Sequence, residues 1–130
     1  MGAGALASAQ ATKAAPVQPI NTFNPVMLEE IEGMLGPEGL KKLLTKFSVN
    51  IGTYRDKLLA AHDTGDRKAV TDAAHALRGV AAQFGADHLS VLARRIEERH
   101  GNPDELNTVK PDLIRAVDEA VMEAERRSAA

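Results

Sequence analysis

The chain contains no cysteine, and only Phe23, Phe47, Tyr54 and Phe84 of its 130 residues are aromatic. The missing thiols exclude disulfides, thiolate catalysis and cysteine-ligated zinc. No apolar run approaches the ~18 residues that a membrane-spanning helix needs. A formal net charge of −2 leaves no concentrated basic surface, which argues against general binding to nucleic acid. There is no glycine-rich nucleotide loop, and a chain of this length has no room for an ATP-binding domain beside another domain. No stretch alternates with period two, so no strand is expected.

Alanine, leucine, glutamate, arginine and lysine dominate instead, a mixture that favours helix over sheet. Residues 1–21 stand apart, alanine-rich, with Lys13 as the single charge and Pro16 and Pro19 near the end. They read as a disordered tail ahead of a domain over 22–130. No basic residue precedes Leu6 as a secretory signal would require, and Leu6 itself replaces the Ser or Thr that N-myristoylation after Gly2 would want. A cytoplasmic protein is expected.

Helix punctuation then organises the chain. Asn24-Pro25 starts a short helix, Val26 to Leu35, that ends at Gly36-Pro37. A long helix follows to His62, with Leu40, Leu43, Leu44, Phe47, Ile51, Tyr54 and Leu58 at three-four spacing. Gly65 stops it, and Asp66 can cap the next helix, which runs from Arg67 to Phe84. Gly85 separates this from a helix over Ala86 to His100 with Leu89, Leu92 and Ile96 inward. After Gly101-Asn102-Pro103 comes a last helix, Asp104 to Arg127, with Leu106, Val109, Leu113, Val117, Val121 and Ala124 as its stripe. Pro111 either kinks that helix or marks where its regular part begins. The expected fold is all-α: an up-and-down antiparallel four-helix bundle with a short extra N-terminal helix.

The third of these helices carries the chemistry. At ~100° per residue, Val70, Ala73, Leu77, Val80, Ala81 and Phe84 lie roughly 140–240° from His75 and form the buried stripe. Lys68, Thr71, Asp72, Arg78, Gly79 and Ala82 lie within roughly 60° of His75, which therefore faces water. A lone histidine on a helix is ordinarily a satisfied core or surface residue, but its neighbours point elsewhere. Gly79, one turn on, costs the helix roughly 1 kcal/mol relative to alanine, and its presence suggests close approach by a partner. Ala82 keeps the next turn low, and Arg78 and Lys68 place positive charge nearby. A neutral imidazole offers a lone pair without a general base, so it can take a phosphoryl group in line as a phosphoramidate. The cations would offset the negative charge that arrives.

The run Ala74-His75-Ala76-Leu77-Arg78-Gly79-Val80-Ala81-Ala82-Gln83-Phe84-Gly85-Ala86, with Leu89, Leu92 and Ile96-Glu97 after it, resembles the signature of histidine-containing phosphotransfer domains. The resemblance extends upstream through Phe47, Leu58-Leu59-Ala60-Ala61 and Gly65-Asp66, and spans residues 23–127. It implies that His75 is phosphorylated on its outward ring nitrogen. It implies that Arg78, in place of the family's usual lysine, stabilises the phosphoryl group, and that Gly79 gives clearance for docking. Arginine for lysine keeps the charge but changes reach and geometry. Val80 stands where the family often has serine or another small residue. Glu97 falls where the family often carries a polar residue near the histidine.

The implied partners are response-regulator receiver domains or a hybrid histidine kinase, meeting a face that includes Lys68, Thr71, Asp72, Ala82 and Gln83. No cofactor or metal of its own is expected, with Mg²⁺ supplied by the partner receiver, and a monomer suffices. The chain would be a phosphocarrier without autokinase activity. The competing reading is a helical adaptor that binds receiver or kinase domains with no chemistry at His75. His62-Asp63 is similar to a metal-dependent phosphohydrolase pair, but His88 and His100 fall on other helices without matching spacing. His62 and His100 suit helix C-termini, and His88 suits the surface. The run Arg94 to Arg99 has the mixed signs of a solvated helix face.

Overall fold

The computed structural model describes residues 22–129; the expected N-terminal tail, residues 1–21, lies outside the described residues. Four helices follow one another: α1 (Pro25–Asp63), α2 (Arg67–Gln83), α3 (Asp87–Glu98) and α4 (Pro103–Ala129). No strand occurs among the described residues. Helix α1 packs on α2 and α4, α2 on α3, and α3 on α4, so sequence neighbours are spatial neighbours and the α1–α4 contact closes the ring. Short turns between long helices impose the up-and-down course.

Three of the four helices start where a side-chain oxygen is available for their first free N–H groups, and α3, which follows Ala86, has no such cap. Asn24 Oδ1 accepts from the amides of Val26 at 2.9 Å and Met27 at 3.4 Å, with Pro25 in the first turn. Asp66 Oδ1 accepts from Ala69 N at 3.0 Å. Asn102 Oδ1 does the same for α4, accepting from Asp104 N and Glu105 N. The break expected at Gly36 is present as a single non-helical residue, φ 77°, after which the helix resumes directly at Pro37. The short N-terminal helix is thus an arm continuous with the long one. Pro111 does not start a helix: α4 begins at Pro103 and runs through it. The proline ring sits on the exposed side, where the carbonyl it leaves unpaired can meet water.

The core is aliphatic with one aromatic knot. Leu44, Ile51, Leu58, Leu77, Leu106, Leu113 and Val117 are fully buried. Phe47 stacks edge-on against Phe84 at 4.7 Å and against Phe23 at 5.3 Å between centroids. This knot joins α1, the end of α2 and the segment before α1. The α2 stripe differs from expectation at two positions. Ala74 is fully buried, whereas Val80 is half-buried and packs against the core from its edge. Leu40, Leu43, Tyr54 and Val121 also pack from the edge of the core.

The turn after α2 ties the N-terminal arm to the helix that bears His75. Asn24 N donates to Phe84 O at 3.2 Å, and Gly85 sits at φ 65°, the left-handed region. A Cβ there would come within 2.3 Å of Asn24 Cβ and 2.9 Å of Met27 Sδ. Gly85→Ala therefore combines backbone strain with displacement of the arm. A loss of about 2 kcal/mol or more in urea-unfolding free energy is expected, against a few tenths for an unconstrained surface glycine.

Candidate functional site

Helix α2 faces two environments at once, and alanine makes that possible. Ala73, Ala74 and Ala81 let α2 lie close to its neighbours, while the opposite side of the helix is exposed. On that side His75 has 66% of its side chain exposed. The expectation that the imidazole points to water holds.

A residue from the next helix anchors the ring. Glu97, near the end of α3, reaches His75 Nδ1 with Oε2 at 2.6 Å and receives Arg78 Nε on Oε1 at 2.7 Å. Its side chain is only 23% exposed, so water competes weakly for either oxygen. A carboxylate only accepts hydrogen bonds. A neutral imidazole therefore engages Glu97 by donating from Nδ1–H, which leaves its lone pair on Nε2. Arg78 Nη2 also lies 3.2 Å from Nδ1. Both groups are donors in this tautomer, so the shorter, charge-assisted bond to Glu97 decides the proton's place, and the guanidinium lies beside the ring with no free lone pair to take. The Arg78 hydrogen bond is the main influence holding the Glu97 carboxyl below the ordinary carboxylate range, with the His75 bond adding to it against burial. Glu97 in turn raises Arg78.

The remaining predicted residues separate into two groups. Gly79, Ala82 and Gln83 are exposed and continue the open strip from His75 toward the end of α2. A Cβ built at Gly79 meets no atom within 4 Å, so the fold itself does not require glycine there. Lys68 Nζ pairs with Asp72 at 2.9 Å one turn along the helix, so both charges are partly satisfied within α2. Thr71 is half-buried and donates its hydroxyl to Arg67 O, which leaves less for a partner than its helical angle suggested. Glu97 is the residue whose importance the sequence understated. Its place 22 residues beyond His75 says nothing of contact until α3 folds back on α2.

The other histidines do not converge. His62 Nε2 lies 2.9 Å from Asn107 Oδ1, bridging α1 to α4, while His88 and His100 are exposed. No group of three or more His, Cys, Asp or Glu side chains is arranged to hold a metal ion among the described residues. No helix among them is long and apolar enough to cross a membrane.

The fold and site together define an all-α bundle whose surface chemistry centres on one carboxylate-anchored histidine of a core helix. The sequence model of the Hpt domain family matches residues 42–126, which include His75, Arg78, Gly79 and Glu97. That span is well over half of the chain, and the chain belongs to this family, whose members are phosphocarriers of two-component signalling rather than enzymes. The crystal structure of histidine-containing phosphotransfer protein B (HptB) from Pseudomonas aeruginosa PAO1 has the same fold. It matches with a TM-score of 0.77 at 20% sequence identity, over 84% of this chain and 96% of that one. Among curated protein sequences none matches.

Because nothing in the fold fills the space above Gly79, Gly79→Ala should stabilise the protein by about 0.5–1 kcal/mol through helix propensity alone. A urea melt checks this, and an unchanged or lowered midpoint would mean that the backbone there is not ordinary helix.

Proposed function

We propose that the protein shuttles a phosphoryl group between His75 and the aspartates of response-regulator receiver domains. The observation that carries this reading is the exposed ring whose Nδ1 is bound by Glu97, because that bond leaves Nε2 as the free nucleophile. The Nε2 lone pair attacks the phosphorus of an aspartyl phosphate in line. The N–P bond forms as the P–O bond to the aspartate breaks, and the carboxylate leaves with the electron pair. The proton stays on Nδ1, so the phosphorylated ring carries positive charge, which the Glu97 carboxylate offsets. Attack by a second receiver's aspartate on the same phosphorus reverses these steps.

The strip of Gly79, Ala82 and Gln83 gives a receiver's pocket room to descend onto α2, flanked by Lys68 and Asp72 with Thr71 at the edge. Mg²⁺ and the acceptor carboxylate belong to the partner in this scheme, and the carrier works as a cytoplasmic monomer with no autokinase activity.

Incubation with a ³²P-phosphorylated receiver and Mg²⁺ tests the proposal. Acid-labile label is expected on the wild type and not on His75→Ala. Receiver binding without label on either protein would establish an adaptor instead. Gly79→Leu, which places bulk where the docking strip is bare, is expected to weaken receiver affinity by about tenfold or more, a cost of about 1.4 kcal/mol. Calorimetric titration measures it, and an unchanged Kd would place the docking face elsewhere.

A further inference from the structure

The family resemblance has Arg78 stabilise the phosphoryl group, but three distances describe a different arrangement. Arg78 Nε is bonded to Glu97 Oε1 at 2.7 Å, Glu97 Oε2 to His75 Nδ1 at 2.6 Å, and Arg78 Nη2 lies 3.2 Å from that same Nδ1. The guanidinium is therefore at the Nδ1 edge of the ring. The phosphoryl group of the proposed reaction sits on Nε2, which points away from Glu97. To reach it, Arg78 would have to leave a carboxylate that is largely shielded from water.

We propose that Arg78 is a positioning residue, which acts on phosphotransfer by fixing Glu97 so that Glu97 selects the Nδ1–H tautomer of His75. The proposal rests on the phosphotransfer reading of the site. Glu97 has two oxygens and two donors, one on each, and the geometry is closed: each donor restrains the carboxylate for the other. Without Arg78 the carboxylate can rotate about its side-chain torsions, and the ring is freed to carry its proton on either nitrogen. Molecules with the proton on Nε2 have no lone pair there and cannot accept phosphate. The planar guanidinium suits this task, because its Nε bonds one oxygen while Nη2 lies against the imidazole; a lysine ammonium offers one point of attachment. The departure from the family's usual lysine thereby has a structural reason in this chain.

Two measurements on the full chain test the proposal. Ring-¹⁵N spectra of unphosphorylated protein, at a pH where His75 is neutral, read the tautomer directly. The wild type should show a protonated Nδ1 and an unprotonated Nε2. In Arg78→Ala the two nitrogen shifts should move toward each other, and Arg78→Lys should restore part of the separation. A wild-type ring with its proton on Nε2, or an Arg78→Ala spectrum identical to wild type, overturns the proposal. Neither outcome depends on whether phosphate is transferred.

The second measurement is a double-mutant cycle on phosphotransfer to His75. Arg78→Ala should slow transfer by about tenfold, typical of a group that orients a reacting ligand from behind. The same change in a Glu97→Ala background should add less than about twofold, since its object is gone. An equal slowing in both backgrounds would show that Arg78 acts on the phosphoryl group itself. Absence of label on wild-type His75 would overturn the relay reading while leaving the tautomer result to stand or fall alone. Circular-dichroism melts of each variant should stay near wild type, because all three side chains lie outside the core.

Discussion

Helix α2 has a hydrocarbon core on one side and water on the other, and the site follows from that division. Ala73, Ala74, Leu77 and Ala81 are buried, which fixes the rotation of the helix about its axis. Once the rotation is fixed, His75, Gly79 and Ala82 cannot do other than face outward. Rotational registry is set by the hydrophobic free energy of the stripe, and the exposed face inherits it without any interaction of its own. The aromatic knot at the end of α2 adds a second restraint. Phe84 is held between Phe23 and Phe47, and Gly85 turns the chain sharply beneath the N-terminal arm. A helix pinned by its apolar stripe and by its last turn presents the imidazole from a rigid base. Rigidity of this kind suits the proposed transfer, in which the ring meets a partner's reacting atoms in line.

Glu97 converts an exposed histidine into a directed one. Exposure alone leaves an imidazole free to rotate and to exchange its proton between two nitrogens. The carboxylate removes both freedoms with one short bond, and its own position is secured by Arg78 on the same helix as the ring. The three groups lie at the solvent boundary, where an isolated ion pair contributes little to stability. Their effect is on geometry and protonation. In the proposed transfer a charged cluster is thus central to the chemistry while remaining marginal to the fold.

Most of the architecture could be read along the chain, because each boundary is a local event. Asn24-Pro25, Gly65-Asp66 and Gly101-Asn102 carry their own capping and turn chemistry, and three-four spacing identifies the helices between them. The outward direction of His75 was legible for the same reason, since it depends only on angles within one helix. The positions that the sequence left open are those where packing decides. Val80 lies at the edge of the stripe, so the distance of the neighbouring helix determines its burial. Thr71 loses its hydroxyl to Arg67 O. Pro111 passes within α4 because its ring faces solvent and tertiary contacts hold the helix on either side.

The sequence by itself determined that this protein is a set of amphipathic helices with a histidine, a cation and a glycine on one exposed face. Side-chain periodicity within a helix is a local property, and it needs no knowledge of the rest of the chain. Only the tertiary structure decided that Glu97 meets His75 and Arg78. That contact spans 22 residues and depends on the angle and depth at which α3 returns along α2. Those quantities come from the packing of Leu89, Leu92 and Ile96 into the common core, a collective result that no single segment specifies.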